Sequence, residues 1–193
     1  MKMSCIQKSW YYVNLVDSEG KFILLENENF FLEHGTEYKI IVGNNNKNCR
    51  ANATIFVDGK NIGSFRIEKN SKIEIERPSE DSKKQKFTFF SENSREGKLG
   101  KLSECSMLGH LKIEIQCEDI SKKIFNINTI FCDGGSFDEC DGPSRIQCDS
   151  ARGGTALGKS SKQTFTNAEY MKTIDEIIEL KARMFLKENI VPL

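Results

Sequence analysis

Ala51-Asn52-Ala53-Thr54-Ile55-Phe56-Val57-Asp58-Gly59-Lys60-Asn61-Ile62-Gly63-Ser64-Phe65-Arg66-Ile67 is the stretch that decides the fold class. Residues 51–57 alternate at period two, the pattern of a strand with one buried face. Asp58-Gly59 then interrupts the alternation with a pair suited to the backbone angles of a tight hairpin. Residues 61–67 return as the second strand.

The same texture continues on both sides of this hairpin. Trp10-Tyr11-Tyr12-Val13-Asn14-Leu15-Val16 reads as a strand, and Asp17-Ser18-Glu19-Gly20 as a turn into residues 21–25. Residues 37–42 alternate and stop at Gly43-Asn44-Asn45-Asn46, where left-handed conformations are tolerated. Ile73 and Ile75 alternate with Glu74 and Glu76, and Pro78 closes that strand. Residues 86–90 and 110–116 complete the set, with Phe125, Ile127 and Ile130 as one more candidate. Short strands at regular spacing, each with one apolar face, predict an antiparallel β-sandwich of jelly-roll or Ig-like type. Residues 1–131 form the expected sandwich domain and 132–162 a long loop rich in Gly, Ser, Asp and Cys. Residues 163–193 are expected to hold a closing strand and a C-terminal α-helix. Residues 92–108 are polar and loop-like, with room for a helical turn.

The helix is predicted from Thr166-Asn167-Ala168-Glu169, which fits a capping box. After it Met171, Ile174, Ile178, Ala182 and Phe185 recur at three- and four-residue spacing, and Ile177, Leu180 and Met184 widen the stripe. Lys181, Arg183 and Lys187 suit the negative end of a helix dipole, and Asn189 and Pro192 end the segment. A helix of this length is marginal in water by itself, so its apolar face needs a cover. Either the chain's own sandwich or a neighbouring subunit could supply it. Met171, Ile174, Ile177, Ile178, Leu180, Met184 and Phe185 are therefore the candidate partner-binding residues.

Composition bounds the function classes. The chain has 193 residues, with 28 basic and 28 acidic side chains and 38% hydrophobic residues. Charge balance gives no global field to draw in a polyanion or an acidic membrane, so neither nucleic acid nor membrane is an expected partner. No stretch approaches the roughly 20 apolar residues of a membrane span, and the N-terminus lacks a signal-peptide core. Seven cysteines, an odd number, fit a reducing and cytoplasmic setting better than a disulfide framework. Cys49 and Cys117, in or beside strands, read as small core hydrophobes.

Three constellations could carry chemistry. Cys132, Cys140 and Cys148 recur every eight residues and, with Cys105 or His110, could bind zinc, but structural zinc ligands sit two to four residues apart in rigid knuckles. A solvated loop is the preferred reading. Asp133, Asp138 and Asp141 lack the alternating oxygen ligands and terminal Glu of a calcium loop. Residues 153–160, Gly-Gly-Thr-Ala-Leu-Gly-Lys-Ser, satisfy the phosphate-loop pattern G-x-x-x-x-G-K-S literally. Such a loop follows a buried strand and opens a helix in a parallel α/β sheet, a context missing here, so a glycine turn docked on the sandwich is preferred. His34 and His110 offer little acid–base chemistry, and no Ser or Cys has a nucleophile signature. Glu74 and Glu76 share one strand face and read as a solvated pair. Trp10, Tyr11, Tyr12, Phe30 and Phe31 could line a sugar or peptide surface, although aromatics at strand spacing are usually core. No cofactor or metal is expected, and no catalytic residue is assigned.

Residues 43–45, the turn Asp58-Gly59-Lys60, the Phe65-Arg66-Ile67 step and the strand end Glu76-Arg77-Pro78 resemble a small β-sandwich family of giant DNA viruses and protists, as does Gly153-Gly154-Thr155. The resemblance spans residues 37–117 and, loosely, 153–166. It implies a β-sandwich in which the glycine run is a recurrent structural element, and it implies no catalytic residue. The leading expectation is a non-enzymatic assembly module that self-associates or binds protein partners within a larger intracellular particle. A glycan- or peptide-binding module is the alternative, followed by a nucleotide-binding protein using the loop from Gly153 to Ser160.

Overall fold

The computed structural model describes residues 5–121 and 152–187. Two sheets pack face to face. The first contains β1 (Ile6–Lys8), β2 (Tyr11–Asp17), β5 (Thr36–Asn44), β8 (Ser71–Ile75), β9 (Gln85–Ser91) and β11 (Gly153–Ser160). Its path is β1-β2-β5-β9-β11, with β8 lying beside β5. The second sheet runs β3 (Leu24–Glu26), β4 (Asn29–Leu32), β12 (Thr173–Leu186), β10 (His110–Glu118), β6 (Ala51–Val57) and β7 (Lys60–Ile67). All pairings between these strands are antiparallel except that of β12 with β4. Between β9 and β10 lie a short helix, α1 (Arg95–Leu99), capped by Ser94, and a single 3-10 turn.

Alternation builds the core. Ala51, Ala53, Ile55 and Val57 of β6 and Leu111, Ile113 and Ile115 of β10 turn inward to meet Val13, Leu15, Ile40, Val42, Phe87 and Phe89 of the other sheet. The two-layer β architecture expected from the sequence is present, and the helical turn of residues 92–108 is α1.

The C-terminal helix is not. Residues 173–186 form the longest strand among the described residues, seated between β10 and β4. Two periodicities overlap in this segment. Ile174, Ile178, Ala182 and Phe185 fit a helix, but Ile178, Leu180, Ala182 and Met184 are spaced by two. That second row faces the core, with Leu180 and Met184 each 2% exposed. The slot between β4 and β10 offers hydrogen-bond partners on both edges and a core on one face. β-Branched residues such as Thr173, Ile174, Ile177 and Ile178 suit it. The supposed capping box at residues 166–169 lies instead in an extended segment with no regular structure.

The glycine-lysine motif is also corrected. Gly153–Ser160 is β11, an extended edge strand paired with β9, so it cannot cradle a phosphate at a helix start. A side chain at Gly153 would enter the Phe89 ring, one at Gly154 would meet Leu108, and one at Gly158 would meet Thr88. Close strand packing accounts for these glycines. Lys159 pairs with Glu37 at 3.2 Å. The eight residues therefore leave the predicted loop of 132–162 and join the sandwich. Cys132, Cys140, Cys148, Phe125, Ile127, Ile130 and the three loop aspartates lie outside the described residues.

Candidate functional site: a groove beside the edge of β7

The seven residues of the predicted partner face do not form one surface. Met171, Leu180 and Met184 are buried. Ile178 and Leu186 pack against the core from its margin. Phe185 stacks on Phe31 at 6.0 Å on the outer face of the second sheet. Only Ile174 and Ile177 of the seven are exposed large hydrophobics, at 37% and 50%.

The site the fold does build lies where the sandwich is open. Among the described residues β7 ends the second sheet and β8 flanks β5 of the first. Residues 161–169, on the way from β11 to β12, form a strap across the gap. Gln163 fixes it to β8. Its side-chain Nε2–H donates to the Glu74 carbonyl (2.7 Å), and its Oε1 accepts from the Glu76 N–H (3.0 Å). One amide side chain thus occupies the backbone positions that a neighbouring strand would take. The Ser161 hydroxyl donates to the Glu76 carboxylate, which also lies 3.8 Å from Lys39.

Arg77 is the second anchor. It is 4% exposed, and a buried cation needs partners. Its Nε–H donates to the Gln163 carbonyl (3.0 Å), its Nη1–H donates to the Pro78 carbonyl (2.8 Å), and its guanidinium lies 4.4 Å from the centre of the Phe165 ring. Phe165 in turn tilts against Phe65 of β7 at 5.3 Å. On the far side Arg66 donates to the Glu169 carbonyl (2.7 Å) while also holding Asn52 (2.9 Å).

Between β7 and the strap a groove of about 990 Å³ remains, at the upper end of the roughly 300–1,000 Å³ of ligand pockets. Its apolar part includes Phe65, Phe165, Ile62, Ile73 and Ile75, and its lining also carries hydroxyls, amides, Arg66 and the carboxylates Glu74 and Glu80. Neither histidine lines it. His34 accepts from the Ser91 N–H (3.2 Å) beside α1, and His110 opens β10, where burial and the nearby Arg183 lower its basicity.

Among the described residues no strand pairs with the β7 edge bordering this groove, and the register shows which groups that leaves outward. Asp58 N–H donates to the His110 carbonyl and Glu118 N–H to the Arg50 carbonyl, both at 2.8 Å. Even-numbered residues of β6 therefore direct their backbone groups to β10 and odd-numbered ones to β7. Ala53 and Ala51 face Phe65 and Ile67, which places Ser64 and Arg66 at the positions whose N–H and C=O point away from β6. The side chains agree. Thr54 and Ser64 hydroxyls meet at 2.7 Å, as expected of the closer, non-hydrogen-bonded pair. At the near end Ser79 N–H donates to the Ile62 carbonyl (2.9 Å), so the chain covers its own edge there. Gly63 permits that approach, since its φ is +132° and a Cβ would collide with Ser79.

A second cluster ties the opposite corner. Asp58 and Gly59, both at positive φ, make the tight turn. The buried Asp58 carboxylate then accepts from the N–H groups of Gly109 and Thr155, both at 2.6 Å. Burial pushes its pKa up to about 6 against those hydrogen bonds. Thr155 also meets the buried Tyr38 hydroxyl (2.6 Å).

The sequence signals for this architecture are unequal. Asp58-Gly59 was visible as a turn, whereas Gln163 and Phe165 were missed, because their partners lie 86 or more residues away and no local pattern marks them. No protein-family model, no curated protein and no solved structure matches this chain.

Proposed function

We propose that the chain is a non-enzymatic module that makes protein–protein contacts within a larger assembly, with the groove beside β7 as the contact site. One observation carries this reading: a strand edge with no pairing partner among the described residues lies along a groove that mixes apolar side chains with polar lips. Backbone groups at such an edge seek partners, and aromatic side chains beside them supply area that gains from leaving water. The groove's hydroxyl, amide and carboxylate lining suits recognition, and its two carboxylates have no imidazole or thiol beside them in the lining. Ile174 and Ile177 add exposed apolar surface at the start of β12.

The test combines sedimentation of the full chain with amide chemical-shift mapping during titration with linear peptides, an oligosaccharide panel and nucleotide with magnesium. The expected result is perturbation of residues 64–66 and 163–166 by peptides, with no response to nucleotide. Sugars that perturb the same residues would replace this reading with a glycan-binding one. A nucleotide response centred on β11 would overturn it.

A further inference from the structure

Resting on that reading of the groove, we propose that the partner enters as an extended peptide segment that adds to β7 as a further strand of the second sheet. The N–H and C=O groups of Ser64 and Arg66 face the groove, as the β6 register requires. An incoming strand satisfies them in pairs and extends the ladder. Strand geometry then fixes what its side chains meet. The residue opposite Phe65 lies on the same face as Phe65, over the touching rings of Phe65 and Phe165, and the residues on either side of it point outward beside Ser64 and Arg66. The segment is therefore apolar at the central position and polar at its two neighbours. An acidic residue opposite Arg66 would face the guanidinium already aligned by Asn52 and the Glu169 carbonyl. The strap limits the slot to one chain in extended form, because Gln163 keeps the β8 margin occupied. Ile62 marks one end, where Ser79 takes the place of the ligand.

The experiment uses the full chain and a displayed library of random linear peptides. Peptides that compete for the groove, judged by loss of binding to Phe165→Ala, are resynthesised with single backbone N-methyl groups at successive positions. Strand addition predicts a two-residue period, in which alternate methylations weaken binding about tenfold and the intervening ones leave it nearly unchanged. Ser64→Pro, which removes an outward N–H at an edge position, should weaken the same peptides by a similar factor. A flat or aperiodic methylation profile from peptides that still depend on Phe165 would retain the groove as the binding site and overturn strand addition. Failure of the library to yield any Phe165-dependent peptide would overturn both. Should Ser64→Pro fail to fold, the methylation profile alone decides.

Discussion

Asp58 and Arg77 are both charged side chains with almost no exposure, 6% and 4%, yet they hold the fold by different means. The Asp58 carboxylate receives two N–H groups from Gly109 and Thr155, segments already positioned by β10 and β11. Arg77 binds a strap with no ladder of its own, through the Gln163 carbonyl and the face of Phe165. At the Asp58 corner the β6–β7 turn is tied to β11 and to the residue that leads into β10. At the Arg77 side one amide and one ring bridge the two sheets, and no described strand pairs with the edge next to them. Stability is concentrated at the first site, and room for a partner at the second.

The largest expected effect is therefore at Asp58. Asp58→Ala leaves two buried N–H groups without acceptors, for a cost of about 3–4 kcal/mol near pH 4 in denaturant unfolding. The size of that cost depends on pH. The carboxyl has a folded-state pKa of about 6 against 3.8 ordinarily, so the folded state holds the proton more tightly than the unfolded one. Its contribution is full below about pH 4 and is lost as pH rises through 6, which shrinks the wild-type advantage over Asp58→Ala by about 3 kcal/mol by pH 8. A cost that grew with pH would break the contrast between the two corners, since Asp58 would then act as a favourably ionised group.

Effects at the strap should be smaller. Phe165→Ala removes a partly buried ring from Phe65 and Arg77, and unfolding experiments should show a loss of about 2 kcal/mol. Gln163→Ala frees two backbone groups of β8 that can reach water, so a loss of about 1 kcal/mol is expected. Losses at these two positions as large as that of Asp58→Ala, all measured near pH 4, would make the strap part of the core.

Legibility in the sequence followed the range of each interaction. The β6–β7 hairpin was readable because alternation and the Asp58-Gly59 turn are local. β12 was misread because Ile178 and Ala182 belong to both the three-to-four and the two-residue rows. The choice between them rests on the slot between β4 and β10, whose paired residues lie 55 to 154 positions earlier in the chain. β11, expected as a glycine turn within the loop of 132–162, departs for a related reason. Its glycines look like turn residues, but they are small because Phe89, Leu108 and Thr88 crowd them. The groove was invisible for want of any local signal that Gln163 would meet Glu74 and Glu76.

Residue-resolved hydrogen exchange along β7 of the full chain, without any partner, tests the central claim most directly. The register predicts slow exchange at the amides of Phe65 and Ile67, which face β6, and fast exchange at those of Ser64 and Arg66, which face the groove. Equal protection at all four positions would show that the β7 edge is already occupied, and would contradict the account.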